Sequence, residues 1–200
     1  MPDALFADTP EHPPILERHV LEKGYLLTFV RETFEYNGEP ITREYVQSPR
    51  AVGVIAIDED DRVLTIRQYR HPIRTRAWEA PAGLLDSPDE PLLAAAQREL
   101  AEETEMAATE WHVLADIATS SGGNDEVVRI FLARGLSVTQ TAFTRDGEEA
   151  DIEVRWVPIE QVAEAVWAGR VRNVILASGI FAALAARAGN WADLRPADSV

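Results

Sequence analysis

The chain of 200 residues contains no cysteine and a single lysine, Lys23. Without cysteine, disulfides, thiolate catalysis and Cys-based zinc or iron–sulfur sites are excluded. Long hydrophobic runs are also missing. The best candidate, Val174 to Ala186, falls short of the roughly 18–20 apolar residues of a membrane helix and is interrupted by Ser178-Gly179. Positive charge is scarce: 19 basic residues face 34 acidic ones, for a net charge of −15. Such a field repels nucleic acids and anionic membranes and attracts divalent cations. No nucleic-acid and no membrane partner is therefore expected. Met1-Pro2-Asp3 opens neither a basic n-region nor an apolar h-region, so the expected location is cytoplasmic. With 46% hydrophobic and 26% charged residues, the composition is that of a globular chain able to bury a core.

The pattern along the chain predicts one domain with a small appendage. Residues 1–14, broken by Pro2, Pro10, Pro13 and Pro14, read as a loose arm. Strand-like runs follow at Ile15–Val20, Tyr25–Tyr36 and Ile41–Val46, with the hairpin signal Asn37-Gly38 between the last two. Residues 1–48 are thus expected to form an N-terminal arm and β-subdomain. The main domain is expected over 49–190, with an irregular tail over 191–200. Within it, Ala51–Ile57 and Arg62–Tyr69 flank Asp58–Asp61 in a second hairpin pattern. A short segment runs from Ala77 to Pro81-Ala82-Gly83. A helix is predicted from Pro91, a residue suited to the first helical position, to Thr104. Ser87 and Glu90 match a capping box, but Glu90 precedes a proline and is biased away from helical angles, which favours the later start. Trp111–Ala118, Val127–Ala133 and Ile152–Val157 read as strands, with the polar loop Ser120–Glu126 between the first two. Helices are predicted at Glu160–Trp167 and Asn173–Ala188. Strands, one helix, more strands and two helices imply an α+β or layered α/β/α domain on a mixed sheet.

The informative stretch is Glu79–Glu110, which holds nine acidic residues and one basic residue, Arg98. At about 100° per residue, Glu99, Glu102 and Glu103 share one helix face. Like charges at that spacing repel by a few tenths of a kcal/mol per pair. Hard divalent cations such as Mg²⁺ or Mn²⁺, which prefer oxygen ligands, would offset the cost. A Glu-rich helix face is more often merely solvated, since Glu is a good helix former. The surroundings decide the matter: Gly83 precedes the helix, Glu90 stands eight residues before Arg98, and Arg98-Glu99 opens the cluster.

This arrangement resembles the Nudix box of the Nudix hydrolases: Gly, five residues, Glu, seven residues, Arg-Glu, aliphatic, any, Glu-Glu, any, Gly, aliphatic. Here Gly83 is followed by six residues, then Glu90, seven residues, and Arg98-Glu99-Leu100-Ala101-Glu102-Glu103-Thr104-Glu105-Met106. The extra residue falls in a loop, where it is tolerated. Glu105 replaces the closing Gly, whose role is to end the helix in a left-handed conformation. A Glu there costs about 1 kcal/mol or extends the helix. The resemblance implies a Nudix-type α/β/α sandwich. It also implies that Glu99, Glu102, Glu103 and the backbone carbonyl of Ala82 hold Mg²⁺ or Mn²⁺, while Gly83, Glu90 and Arg98 are structural.

Flanking residues are similar to the ADP-ribose pyrophosphatase subfamily: Gln68-Tyr69-Arg70-His71, Trp78-Glu79-Ala80-Pro81-Ala82-Gly83, and Glu148-Glu149-Ala150-Asp151 before Trp156-Val157-Pro158. That likeness implies hydrolysis of a nucleoside diphosphate derivative, ADP-ribose first, to AMP and ribose 5-phosphate. It implies that Glu149, or Glu148 next, assists the attacking water, and that the N-terminal β-region builds a homodimer. Ser121 stands where the subfamily commonly has proline, which keeps a nucleotide sugar such as GDP-mannose open as substrate. Arg62, Arg67, Arg70, Arg74 and Arg76 suit phosphate oxygens or simply decorate strand faces. Arg70 is the first candidate for substrate binding, with Arg67, Trp78, Glu79 and Glu126 beside it. Trp78, Tyr69 and Phe29 could stack on a base, although aromatics at strand spacing are more often core. His71, between Arg70 and Pro72, reads as a turn residue. Two other readings remain: a regulatory domain that binds ADP-ribose without catalysis, and a structural acidic helix in an unrelated α+β domain.

Overall fold

The computed structural model describes residues 6–139 and 151–199. The chain divides into two compact units: residues up to Ser48 together with Ser120–Asp125, and Pro49–Thr119 together with the residues from Glu126 onward.

In the first unit, β1 (Ile15–Lys23), β2 (Thr28–Tyr36) and β3 (Glu39–Gln47) form an antiparallel sheet in the order β1-β2-β3. Asn37 (φ 53°) and Gly38 (φ 80°) both take positive φ. Two-residue hairpins demand this, because it matches the strand twist. The polar loop segment Ser120–Asp125 belongs to this unit. Val46 N–H donates to the Gly123 carbonyl (2.9 Å), Asp125 N–H to the Val46 carbonyl (3.2 Å) and Ser48 N–H to Asp125 Oδ1 (2.8 Å).

The second unit begins with β4 (Ala51–Ala56), every residue of which is buried. It pairs in parallel with β9 (Val127–Val138) and antiparallel with β7 (Ala82–Leu84). With β8 (Met106–Ala118) and β11 (Arg195–Pro196) they form a mixed five-stranded sheet, ordered β11-β8-β9-β4-β7. Alternation sorts the core. Ala51, Ile55, Val128, Ile130 and Leu132 join one cluster, with Leu176, Ile180 and Ala183 of α3 (Val174–Ala188) and Ile159 and Val162 of α2 (Ile159–Trp167). Val52, Val54, Ala56, Phe131 and Ala133 join another, with Ala95, Ala96 and Leu100 of α1 (Leu92–Thr104). A strand buried on both faces reads as a continuous apolar run, as β4 does. Helices on both faces of a mixed sheet make the α/β/α sandwich of an α+β fold. α3 lies close because Gly179 has no Cβ; one there would fall 2.5 Å from Ile55 Cγ1. Its N-terminus is capped by Asn173 Oδ1, which accepts from Leu176 N–H at 2.8 Å.

Three expectations are corrected. Ala51–Ile57 and Arg62–Tyr69 do not form a hairpin. Both edges of β4 are taken by β7 and β9, so only the bridge Ile57↔Val63 forms before β5 (Arg62–Arg70) leaves for a second sheet. That sheet has the order β10-β5-β6, with β6 at Thr75–Glu79 and β10 at Glu153–Pro158. β8 starts at Met106, not Trp111, because Met106 and Ala108 pack on the α1 cluster. The tail is not irregular throughout: Arg195 and Pro196 pair with Val113 and His112, and Arg195 reaches Asp116 at 2.9 Å. Among the described residues no helix is long and apolar enough to cross a membrane.

Candidate active site

α1 presents Ala95, Ala96, Leu100, Glu103 and Thr104 to the interior. The capping box is not formed. Glu90 instead accepts from Asp86 N–H (2.7 Å) and from Arg98 Nε and Nη2 (both 3.1 Å). At the other end, Glu105 takes the left-handed conformation itself (φ 59°, ψ 26°), and its N–H donates to the Ala101 carbonyl at 2.9 Å. The helix therefore stops without the glycine and does not run on.

The Arg98 guanidinium is the hub of the helix face. It binds Glu90, Glu99 Oε1 (2.6 Å), Glu102 Oε2 (3.4 Å), Asp86 Oδ2 (3.2 Å) and the Leu84 carbonyl (3.0 Å). Burial alone would lower its pKa. Its hydrogen bonds to Glu90 and Glu99, with their charges, outweigh that and raise it above the ordinary arginine value. The same hydrogen bonds, with the Asp86 N–H, hold Glu90 below the usual carboxylate range. The Glu99 carboxylate lies over Gly83, where a Cβ would fall 2.1 Å from Oε1. A close approach of side chain to backbone thus explains the glycine. Glu103 is only 3% exposed, and its Oε2 accepts from Ala82 N–H at 2.9 Å. Glu102 is the open member, at 38% side-chain exposure.

Among the described residues no group of three acidic or histidine side chains closes around a point that could hold a metal ion. Arg98 draws Glu99 and Glu102, and Ala82 N–H draws Glu103. The donor set itself is all oxygen: four carboxylates (Asp86, Glu90, Glu99, Glu102) surround the one guanidinium of Arg98, and Glu103 stands on Ala82 N–H. That chemistry fits a hard divalent cation. Glu148 and Glu149 lie outside the described residues.

The candidate substrate residues do not converge. Residues paired across an antiparallel ladder share a face, and neighbours along a strand alternate. Ile66 pairs with Glu79, so Ile66, Gln68, Arg70 and Glu79 lie on one face of the β10-β5-β6 sheet. There Arg70 grips the buried Glu79 with Nε (3.2 Å to each oxygen) and Nη2 (2.8 Å). The pairs Arg67↔Trp78 and Thr65↔Arg155 lie on the other face. Arg67 and Arg155 stand over the Trp78 ring, 5.6 and 4.8 Å from its centroid. Arg67 and Trp78 thus part from Arg70 and Glu79 by a one-residue alternation. Glu126 accepts from Thr119 Oγ1 at 2.7 Å. Arg62 is paired with Asp58 and Arg76 with Asp151. His71 sits in an exposed 3₁₀ turn, its Nδ1 3.2 Å from the Tyr69 hydroxyl. The sequence reading missed Asp86 and the Leu84 carbonyl as partners of Arg98. Leu84 ends β7 and Asp86 lies in the loop that follows, where no periodicity reports them.

A layered α/β/α fold with an acid-faced helix docked against a glycine defines a metal-assisted hydrolase scaffold. The NUDIX domain family model matches residues 47–176. The chain belongs to the NUDIX domain family and is a Nudix hydrolase, which removes the reading as an unrelated α+β domain. It is 40% identical over 185 residues to the ADP-ribose pyrophosphatase of Mycobacterium tuberculosis, covering 92% of this chain and 88% of that one. It is 32% identical over 156 residues to the ADP-ribose pyrophosphatase of Bacillus subtilis, covering 78% and 83%. A solved structure described as an ADP compounds hydrolase superposes with a TM-score of 0.76 at 21% identity, covering 92% of this chain and 98% of that one. At that identity the likeness is one of fold.

Proposed function

We propose that this Nudix hydrolase cleaves the diphosphate of ADP-ribose, giving AMP and ribose 5-phosphate. The observation that carries the reading is the site's construction: Glu99 seated on Gly83, Glu103 on Ala82 N–H, and Glu102 open beside them. The similarity to two ADP-ribose pyrophosphatases supports the substrate. Glu99, Glu102, Glu103 and the Ala82 carbonyl would hold Mg²⁺, or Mn²⁺ in its place. The cation supplies charge neutralisation for the diphosphate and acidifies the attacking water. A bond forms between the water oxygen and one phosphorus, and the bridging P–O bond breaks. Glu149, or Glu148 next, takes the proton that the water loses. Arg98 and Glu90 hold the loop from Leu84 to Glu90 against the helix, so the carboxylates start from fixed positions. Arg70, held by Glu79, would meet a phosphate on that face of its sheet.

Glu103→Gln tests the assignment. Gln keeps an oxygen for Ala82 N–H and removes only the charge. Turnover of ADP-ribose with Mg²⁺ is expected to fall by roughly 10²-fold or more while circular dichroism stays unchanged. Near-normal turnover refutes the role. A substrate panel including GDP-mannose separates the nucleotide-sugar reading, which Ser121 leaves open. Tight ADP-ribose binding without hydrolysis would establish the regulatory reading instead. We infer a homodimer as well, because the N-terminal sheet leaves Ile15, Leu16, Val20 and Leu21 exposed. Light scattering checks it, and a monomer at micromolar concentration overturns it. The compartment proposed is the cytoplasm.

A further inference from the structure

The far face of the β10-β5-β6 sheet carries a cavity that the hydrolytic reading does not use. It has a volume of about 330 Å³, at the lower end of the roughly 300–1,000 Å³ of small-molecule sites. Trp78 and Arg155 form its sheet side, Gln161, Val162 and Ala165 of α2 its wall, and Arg170 its edge. Val157, Val171 and Leu176 add apolar lining, and Thr65, Gln161, Glu164 and the two arginines supply its polar groups.

Charge here runs against the rest of the chain. Overall, acids outnumber bases 34 to 19. Around this cavity and the groove beside it stand Arg67, Arg76, Arg155, Arg170 and Arg172, against Glu79, Asp151, Glu153 and Glu164. The local balance is positive. Among the described residues Arg172 has no ion-pair partner, and Arg67 Nε is buried without a hydrogen bond. The pairs Arg155–Glu153 (2.6 Å) and Arg170–Glu164 (3.1 Å) are more than two-fifths exposed on both sides. Exposed pairs of this kind are worth about 0–1 kcal/mol, so an anion in the cavity can take over the guanidinium groups at little cost. Arginine forks suit a phosphate, and the Trp78 indole, over which Arg67 and Arg155 stand, offers stacking surface to a ring once Arg155 swings off it onto the phosphate.

We infer that this cavity is a second, non-catalytic site for a phosphate monoester on a ring-bearing body, the size of a nucleoside monophosphate. Arg155 and Arg170 grip the phosphate, and the ring packs against Trp78 and the α2 wall. By strand parity the site lies on the face opposite Arg70 and Glu79, so it stands whether or not ADP-ribose is the substrate.

Calorimetry on the full chain with EDTA tests the site without turnover, using AMP, ribose 5-phosphate, adenosine and inorganic phosphate as probes. AMP or ribose 5-phosphate is expected to bind saturably. The variants Arg155→Ala and Arg170→Gln are expected to weaken that binding about tenfold or more, the loss of a charge-assisted hydrogen bond. Glu102→Gln is expected to leave it unchanged. Arg170 is 59% exposed in its side chain, so its replacement guards against a folding defect at Arg155. Three results overturn the inference: no probe binds; adenosine binds as tightly as AMP; or binding survives both arginine variants, whatever Glu102→Gln does.

Discussion

Gly83→Ala separates the seat of Glu99 from the stability of the fold. The new Cβ would lie 2.1 Å from Glu99 Oε1, 2.2 Å from Cδ and 2.5 Å from Oε2, so the carboxylate must retreat by about 1.3 Å to reach ordinary contact near 3.4 Å. Only the end of a flexible side chain has to move, so the backbone survives. The retreat breaks the 2.6 Å hydrogen bond from Arg98 Nη1, while Arg98 keeps Glu90 and the Leu84 carbonyl. Losing one charged hydrogen bond costs about 1.5–3 kcal/mol, and replacing glycine in a strand returns about 0.5–1. A net loss of about 1–2 kcal/mol follows, a fall in Tm of about 2–8 °C for a chain this long. The effect on rate is larger in proportion, because a displacement of about 1 Å in a catalytic group costs about 10²-fold. The assay is ADP-ribose turnover with Mg²⁺ in Gly83→Ala, Glu99→Ala and the double variant. If the glycine acts by seating Glu99, Gly83→Ala adds nothing once Glu99 is gone. Turnover within about twofold of the parent, or an equal loss in both backgrounds, refutes the reasoning.

Glu105→Gly relieves a left-handed residue at φ 59° and is expected to raise stability by about 1 kcal/mol, or Tm by about 2–4 °C; an unchanged or lower melting temperature counts against the strain. Glu90 is held below its ordinary value of 4.5 by Arg98 and Asp86 N–H, so its stabilisation is present above pH 4.5 and is lost as pH falls through the lowered value. Urea unfolding of the parent and Glu90→Gln between neutral pH and about pH 3 should therefore show the parent's advantage shrinking on the acid side, and a gap independent of pH overturns this. Gly179→Ala gains about 1 kcal/mol in helix propensity but drives a methyl to 2.5 Å from Ile55 Cγ1 and 3.1 Å from Ile130 Cγ2. Overpacking costs about 1–3 kcal/mol, so the variant is expected to be less stable by chemical denaturation, and a more stable one would show that α3 can shift.

The sandwich and the acid-faced helix were legible because their signals are local. β4 announced itself as an unbroken apolar run, and α1 by Pro91 and the spacing of its glutamates. What failed was pairing. Asp58–Asp61 does form a tight turn, with Asp58 Oδ1 accepting from Asp60 N–H (3.0 Å) and Arg62 N–H (2.8 Å). Nothing in that turn says that β4 has both edges occupied and must release β5 to another sheet. The same gap explains Arg67 and Trp78. Grouping them with Arg70 and Glu79 used nearness in sequence, whereas strand parity sends alternate residues to opposite faces and is fixed only once the register is known. The partners of Arg98 in the preceding loop were likewise invisible, since a loop has no period.

The electrostatics of α1 turn on where its charges stand. A helix favours cations in its last turn, where the backbone dipole is negative, and each misplaced charge costs about 0.3–1 kcal/mol. The last turn of α1 holds no basic residue, and Glu102 and Glu103 stand there instead. Glu103 is moreover almost wholly buried, which raises the cost of its charge. One guanidinium is shared among Asp86, Glu90, Glu99 and Glu102, so carboxylates outnumber it on this face. A sequence selected for stability alone would place glutamine or lysine at these positions. Conflict between local preference and observed charge concentrates at functional sites. Here it is confined to the residues whose oxygens suit a divalent cation. The negative charge that destabilises the helix end is the charge that would bring a cation, and with it a diphosphate, to a protein whose field otherwise repels anions.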